Sequence, residues 1–351
     1  MKNITKDWWK YLSVIITFYV LIVGILTPLK PGIYDFTPSK ALTGSSFEIN
    51  INTYNTRFSN TTSNEVYLKL PDDKLLTAST VEVSDENTLM AQIEIPFDLE
   101  VETESGLLAT LIVDNDLDGY ALYPQAIRIK KNEKPDSSIT GYLSSLDQIK
   151  IDKSFGFPFR NILYETIRNT FFHVAIWFAM FLLLIYSCYN SIQYLRTKNI
   201  DLDLKSSALT TVGLWFGIAG ILTGSMWAKF TWGTFWTDDI KLNMSAIALL
   251  IYFAYWILRN SITDIDSRAR IASIYNVFAF VCLMILVMVI PRLTDSLHPG
   301  NGGNPALGGE DLDNSLRKVF YPAIIGYTLI GLWMSQLYYR FLVIKNNWES
   351  T

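Results

Sequence analysis

Two histidines and one aromatic segment are the side chains whose types and spacing indicate ligand chemistry in this chain. The aromatic segment, residues 227–239, carries five aromatic rings and ends in two carboxylates, Asp238 and Asp239. His173 and His298 are the chain's two histidines, and both lie far from this segment in the sequence. Imidazole is a common axial ligand of haem iron, and two imidazoles hold the iron six-coordinate. Together these residue types favour a flat, amphiphilic, iron-containing ligand, which is haem.

Each of these features also has an ordinary explanation. A histidine at a helix start more often caps the helix than binds a metal, and tryptophans form belts at membrane interfaces. Against that, three tryptophans are concentrated in one connector between apolar helices, where Gly233 allows close approach. This concentration favours a stacking platform for a porphyrin, composed of Trp227, Trp232, Gly233, Phe235 and Trp236.

Basic residues near the same face are candidate partners for the anionic propionates of a porphyrin. They are Lys229, Arg292 and Arg317. Each is explained equally well as a side chain that extends from the membrane edge into water. These three therefore stay weaker candidates than the histidines and the rings.

Long apolar stretches must position these residues. Half of the 351 residues are hydrophobic, and a bilayer core needs about 20 apolar residues in a helix. Six stretches reach that length: 9–29, 170–195, 207–228, 240–259, 271–291 and 319–344. We expect the first stretch to be a retained anchor, because it lacks the small-x-small pattern of a cleavage site. The sequence thus predicts a polytopic α-helical membrane protein with six transmembrane helices.

The distribution of lysine and arginine predicts the orientation of these spans. Basic residues cluster before the first stretch, between the second and third, between the fourth and fifth, and after the sixth. With six spans all four clusters fall on one side, so both termini are expected in the cytoplasm. The opposite loops contain some basic residues too.

The mild net charge of −4 argues against a nucleic-acid partner.

Residues 30–131 are expected outside the cytoplasm as an all-β domain inserted between the first and second helices. Strand-like runs separated by turn residues predict an immunoglobulin-like sandwich: 46–53, 65–70, 79–84, 88–95, 106–113 and 125–130. Residues 30–153 hold 11 basic and 20 acidic side chains, which gives a net charge of −9. Residues 132–157 are interpreted as a polar linker, and residues 1–29 and 158–351 as the membrane part.

Two further patterns have weak functional signals. Residues 114–119 have the acidic spacing that opens a calcium loop, but Gln125 stands where a bidentate glutamate is needed. An acidic turn between two strands is the better interpretation. Cys188 and Cys282 both fall in predicted spans, so we expect no disulfide, and the absence of a CxxCH sequence excludes a c-type cytochrome.

Residues 232–239 resemble the tryptophan-rich WWD signature, roughly WGxxWxWD, of the haem-handling proteins of cytochrome c biogenesis. Within that superfamily the sequence is most similar to the CcmC family, including the flanks 224–229 and 241–242. Six spans, a histidine that opens span two and a Leu-His pair after span five fit as well. The likeness covers residues 158–344, and the first span by position only.

The resemblance implies roles for particular residues. His173 and His298 match the family's axial ligands, and Trp227, Trp232, Trp236 and Asp239 match its porphyrin platform. It implies haem b as transient cargo, a membrane-anchored haem chaperone and ATP-binding-cassette subunits as partners, membrane lipid as surroundings, and the bacterial cytoplasmic (inner) membrane as location. No enzyme activity is expected, since the sequence has no nucleotide loop and no nucleophile–base pair.

The signature departs from the family at two positions. Asp238 stands where the third tryptophan is found, and Phe235 stands where a tryptophan is common. Loss of one ring removes stacking area, and an added carboxylate beside anionic haem is expected to weaken binding. The acidic β domain is absent from the compact family pattern.

Three alternatives stay open on the sequence alone. One is the synthetase-type WWD protein, which attaches haem to apocytochrome, although that class has more histidines. Another is a membrane-anchored binding or sensor module in which the β domain recognises a partner. A small-molecule transporter is disfavoured because ionisable residues are scarce in mid-span.

Overall fold

The computed structural model describes residues 4–102, 105–141, 143–145, 155–161, 163–298 and 312–349. The chain divides into a helical unit, Met1–Thr27 with Glu165–Thr351, and a β unit, Pro28–Tyr164. The β unit is therefore an insertion between the first helix and the rest of the helical unit.

Six long helices are present among the residues described. They are α1 (Ile4–Leu26), α2 (Ala175–Thr197), α3 (Ile200–Trp232), α4 (Ile240–Ser261), α5 (Ile265–Met284) and α6 (Asn314–Glu349). A π-helical turn, Thr170–Val174, leads into α2, and a second one, Ile285–Val289, continues α5. Helix α3 begins earlier and ends later than the predicted stretch 207–228.

Five of the helical segments in the described part of the chain are long and apolar enough to cross a membrane. They contain α1, α2, α3, α4 and α5. Helix α6 packs against α1, α2 and α3, but Pro322 and Gln336 interrupt its apolar sequence. The predicted sixth span at 319–344 therefore stays a prediction.

Glycines on one face of α3 allow its neighbours to approach closely. A Cβ on Gly220 would lie 2.8 Å from the Trp177 ring, and one on Gly224 would lie 2.6 Å from Cε1 of His173. Small residues at helix interfaces in a bilayer permit this approach. The spacing of glycines along α3 thus determines where the side chains of the first turns of α2 lie.

Buried polar groups join the helices at the other end of the bundle. Arg259 of α4 donates two hydrogen bonds to Asp203 of α3, at 2.8 and 2.6 Å, and both residues are buried. The Asn276 amide of α5 donates to the hydroxyl oxygens of serines on α2 and α3, at 2.9 to 3.1 Å. Such bonds satisfy polar groups that cannot reach water and fix the register of the helices.

The β unit consists of two sheets around one apolar core. Its strands are β1 (Gly32–Thr37), β2 (Lys40–Leu42), β3 (Ser45–Tyr54), β4 (Asn64–Lys69), β5 (Lys74–Thr77), β6 (Thr80–Val83), β7 (Thr88–Ile95), β8 (Leu107–Asn115), β9 (Gly119–Lys130) and β10 (Leu143–Ser145). The sheet orders are β1-β3-β7-β6 and β10-β5-β4-β8-β9-β2. Alternate residues of β7 are buried, as a strand with one face on a core requires. The predicted sandwich of strands is present, whereas its likeness to an immunoglobulin domain stays a prediction.

Four strands were not predicted: β1, β2, β5 and β10. All four are short or lie at a sheet edge, where few residues alternate and the periodic signal is weak. β10 pairs antiparallel with β5 and lies inside the predicted linker 132–157. That segment therefore contributes an edge strand to the β unit.

The acidic segment 114–119 is the turn between β8 and β9, where Asn115 pairs with Gly119. Asp118 accepts hydrogen bonds from the Arg57 guanidinium at 2.9 and 2.6 Å. Asp116 accepts from the Thr62 hydroxyl at 2.6 Å. Both carboxylates thus have protein partners, which agrees with an acidic turn.

Candidate functional site

His173 and His298 lie on the wall of one cavity in the helical unit. The cavity has a volume of about 210 Å³. Its walls come from both π-helical turns, from α2, α3 and α4, and from the segment after α5. Its lining residues include His173, Gly224, Trp236, Lys241, Met288 and His298. The structure therefore brings together the two predicted ligands from distant parts of the sequence.

His173 lies in the π-helical turn that precedes α2. Its Nδ1 lies 2.9 Å from the carbonyl oxygen of Gly220 and 3.2 Å from Oγ1 of Thr223. A carbonyl oxygen only accepts, so Nδ1 carries the proton and donates to it. The Nε2 lone pair is then available for a metal, which is the arrangement found in most metal-binding histidines.

His298 is held by a carboxylate. Its Nδ1 lies 3.0 Å from Oδ1 of Asp239. An ionised carboxylate only accepts, so Nδ1 of this ring also donates and Nε2 stays available. Burial lowers the pKa of His298, although the Asp239 carboxylate opposes this shift. The ring is thus neutral at neutral pH, as an iron ligand must be.

Asp239 connects α4 to the segment that carries His298. It caps α4 by accepting from the backbone N–H of Lys241 at 2.9 Å. Its second oxygen accepts from the Ser296 hydroxyl and from the backbone N–H of Leu297, both at 2.8 Å. Burial alone would raise the pKa of Asp239, but these hydrogen bonds and His298 together lower it. Asp239, expected to form part of the platform, is buried and is not among the residues that line the cavity.

Trp227 and Trp232 pack around His298. The centroids of their rings lie 5.7 and 5.0 Å from the imidazole centroid and 4.9 Å from each other. The two rings therefore contact an expected iron ligand directly. Trp236 instead lines the cavity, as His298 does.

The aromatic segment is partly helical, contrary to its description as a connector. Helix α3 continues to Trp232 and ends at Gly233, whose φ of 83° suits a residue without a Cβ. A Cβ on Gly233 would meet open space, so this glycine is required by backbone conformation. The chain between α3 and α4 is therefore only 233–239.

Asp238, one of the two departures from the family signature, takes part in positioning Trp236. Asn243 donates from Nδ2 to Oδ1 of Asp238 at 2.7 Å. The Oδ1 atom of the same amide accepts from the indole N–H of Trp236 at 3.2 Å. A carboxylate at position 238 thus fixes the flip of the Asn243 amide, and through it the ring that faces the cavity.

The predicted propionate partners do not line the cavity. Lys229 donates to the carbonyl oxygen of Gly233 at 2.8 Å and lies over the exposed Phe235 ring. Arg292 is exposed, and Arg317 donates to Asn314 at 3.2 Å. Neither is among the lining residues.

Lys241 is the cavity-lining cation that the sequence reasoning missed. The sequence signal was its position, a lysine in the first turn of an otherwise apolar helix. A half-buried ammonium group on an apolar wall is suited to binding an anionic group of a ligand.

Both π-helical turns lie on the cavity wall, where they contribute His173 and Met288 among others. Single π turns within helices occur frequently at functional sites. The described residues contain no group of three or more His, Cys, Asp and Glu side chains placed to hold a metal ion. What the site offers is two imidazoles, aromatic walls and one cation, a donor set that fits an iron porphyrin.

Comparison with known proteins gives a family match and several relatives. The sequence model of the family described as Heme exporter protein C, CcmC, matches residues 160–351. The chain is 26% identical over 166 residues to Heme exporter protein C of Bradyrhizobium diazoefficiens, which covers 47% of this chain and 62% of the relative. It is 24% identical over 140 residues to Heme exporter protein C of Haemophilus influenzae, which covers 40% of this chain and 56% of the relative. It is 25% identical over 168 residues to that of Paracoccus denitrificans, with 48% and 69% covered.

The chain thus matches less than two thirds of the length of the first two of these relatives. The family match contains both histidines, the aromatic segment and helices α2 to α6, and it leaves out α1 and nearly all of the β unit. Because the match covers more than half of the chain, the chain belongs to the heme exporter protein C family.

Proposed function

We propose that this protein binds haem b at the extracytoplasmic face of the bacterial inner membrane and presents it to a membrane-anchored haem chaperone in cytochrome c biogenesis. The observation that carries the proposal is the convergence of His173 and His298 on one cavity, each with Nδ1 bonded to an acceptor. The name of the similar proteins, Heme exporter protein C, supports haem as the cargo.

The residues of the cavity fit this cargo. His173 and His298 would supply the two axial nitrogens, and Trp236 would contact the porphyrin face. Trp227 and Trp232 would hold the His298 ring in its orientation. Lys241 would pair with a propionate, in place of the more distant Lys229, Arg292 and Arg317. The iron supplies the ligand bonds that are exchanged during transfer, and the protein supplies orientation.

The mechanism is ligand exchange without catalysis of a covalent step. Haem leaves when an acceptor replaces the protein's imidazoles at the iron. We propose ATP-binding-cassette subunits as the partners that drive release from the complex with the chaperone. This role requires a site at the edge of the membrane. The position of the cavity near the end of α3, the start of α4 and the π-helical turn after α5 supports such a placement.

The proposed topology has six spans, with α6 as the sixth and both termini in the cytoplasm. The excess of lysine and arginine at one set of loops supports it. The β unit, which we propose to be immunoglobulin-like, then lies outside the cytoplasm. The site at the start of α2 and the end of α3 falls on that same side.

Haem retention by single-histidine variants tests the proposal. We expect His173→Ala and His298→Ala each to lower the haem that copurifies with the full chain by about tenfold or more, as loss of a ligand or its support does at metal sites. Haem is measured as its pyridine complex after expression with a haem chaperone. Tyr189→Ala, an exposed change on α2, is the matched control and keeps its haem.

Unchanged haem content in both histidine variants would contradict the assignment. A wild-type protein without haem under haem-replete conditions would contradict the haem-presenting role itself. The β unit would then become the part of the chain to test for ligand binding.

A further inference from the structure

The two histidines are anchored in very different ways. His173 belongs to a continuous helical segment and donates to a carbonyl oxygen of the neighbouring α3. His298 lies in the irregular segment that follows α5 and its 3-10 turn, and we call the described residues 293–298 of this segment the histidine strap.

One carboxylate holds the histidine strap at three successive residues. Asp239 accepts from the Ser296 hydroxyl at 2.8 Å, the Leu297 backbone N–H at 2.8 Å and Nδ1 of His298 at 3.0 Å. The Asp239 side chain is 1% exposed, whereas that of His298 is 20% exposed. A buried carboxylate with several donors holds them strongly, since each bond is assisted by its charge.

The rest of the histidine strap is open to its surroundings. Leu293 is 78% exposed and Leu297 is 65% exposed. Its start is tied to the end of the helix by the backbone N–H of Leu293, which donates to Ile290 at 3.0 Å. A segment with few buried contacts opens at lower free energy than a packed helix.

From this asymmetry we infer that Asp239 is a positioning residue that clamps the histidine strap, and that His298 is the releasable axial ligand while His173 is the fixed one. The inference rests on the proposed haem-presenting function and deepens it. Transfer of haem begins when the histidine strap lifts and the bond between iron and Nε2 of His298 breaks, with both electrons returning to that nitrogen. An imidazole or other donor of the acceptor then takes the vacated position.

Asp239→Asn tests the clamp in the full-length protein, because asparagine keeps the cap of α4 but loses the charge that binds the three donors. Asp264→Asn is the matched control. Asp264 caps α5 by accepting from the Ser267 backbone N–H at 2.8 Å, and the structure gives it no bond to a histidine. Ser296→Ala is a milder second variant that removes one donor.

Hydrogen exchange in the haem-free protein is the first measurement. We expect amides of 293–298 to exchange about tenfold faster in Asp239→Asn than in Asp264→Asn, while those of 170–176 are unchanged. Equal exchange of 293–298 in the two variants would overturn the clamp, whether or not the protein binds haem.

Carbon monoxide binding to the reduced, haem-loaded protein is the second measurement, because carbon monoxide binds only after an axial ligand leaves. We expect the rate to rise about tenfold in Asp239→Asn, less in Ser296→Ala, and not in Thr223→Val, which alters the surroundings of His173. A larger rise in Thr223→Val would identify His173 as the ligand that leaves and overturn the inference. A wild-type protein that holds no haem would refute the proposed function, and with it the order of ligand release. The clamp itself would still be supported if hydrogen exchange of 293–298 is faster in Asp239→Asn.

Discussion

His173 and His298 both use Nδ1 as a hydrogen-bond donor, but their acceptors differ. A carbonyl oxygen accepts from His173, and an ionised carboxylate accepts from His298. A carboxylate makes an imidazole more basic and a stronger ligand than a carbonyl does. His298, the stronger iron ligand of the two, therefore lies in the exposed histidine strap. Its strength as a ligand depends on Asp239, which does not line the cavity.

Substitution of the single residue Lys241 gives a first prediction. We expect Lys241→Ala to weaken haem binding by about tenfold and Lys241→Glu to weaken it further, because a carboxylate would face the propionates. Lys241→Arg keeps most of the affinity. Haem titration of the detergent-purified protein measures the effect, and Lys198→Ala, at the far end of α2, is the control. Equal affinity in Lys241→Glu and wild type would exclude Lys241 as a propionate partner.

The pKa of His298 gives a second prediction. Iron and proton compete for Nε2, so haem is retained while the ring is neutral. Burial holds the pKa of His298 below its ordinary value of about 6.5. We therefore expect full retention at pH 7 and a loss that begins only as the pH falls below about 6.5. Absorbance of haem-loaded protein followed from about pH 8 to pH 4 checks this order. A loss that begins above pH 7 would contradict a neutral, buried His298.

At the scale of elements, α3 determines the shape of the site. Trp177 and His173 pack against its glycines Gly220 and Gly224. Trp227 and Trp232, near its C-terminal end, contact His298. One helix thus positions both histidines, the first by leaving space and the second by ring contact.

Gly224→Ala tests this role of α3. The added Cβ would lie 2.6 Å from Cε1 of His173, a distance that forces the ring to move. We expect about a tenfold loss of retained haem with little change in thermal stability, because the displaced ring borders a cavity. Leu222→Ala is the control on the same turn, since Leu222 is 61% exposed. Haem content equal to that of the control would show that the ring does not need its observed position.

The existence of the helices followed from the sequence, but several of their details did not. Gly233 was a readable signal for the end of α3, yet the apolar count placed that end at residue 228. The π-helical turns at 170–174 and 285–289 have no distinct sequence pattern, because they depend on tertiary packing. The pairing of Asp239 with His298 joins positions 59 residues apart. Residue types alone suggested that Asp239 and His298 belong to one site. Only the fold shows that Asp239 accepts a hydrogen bond from His298 and so holds its ring.

In the whole molecule, the β unit is an insertion into a helical unit that carries all of the described residues that line the cavity. The two ends of the helical unit that flank the insertion lie close together, because Nη1 of Arg168 donates to the carbonyl oxygen of Thr27 at 2.7 Å. The sequence predicted this inserted domain from strand-like runs separated by turn residues. It did not reveal β1, β2, β5 and β10, because these strands are short or lie at sheet edges.

Replacement of residues 28–164 by a short flexible linker gives a prediction for the whole molecule. We expect the shortened protein to bind haem with an unchanged absorption spectrum, because the lining residues that the structure describes all lie in the helical unit. The isolated segment 28–164 is expected to unfold cooperatively, since it has its own core. A shortened protein that is correctly inserted but unable to bind haem would show that the β unit contributes to the site.

The electron paramagnetic resonance spectrum of the ferric, haem-loaded wild-type protein tests directly whether both histidines bind the iron. Ligation by His173 and His298 predicts a low-spin signal typical of two imidazoles, which is lost in His173→Ala and in His298→Ala. A high-spin signal in the wild type, or a low-spin signal that persists in both variants, would contradict ligation of the haem iron by His173 and His298.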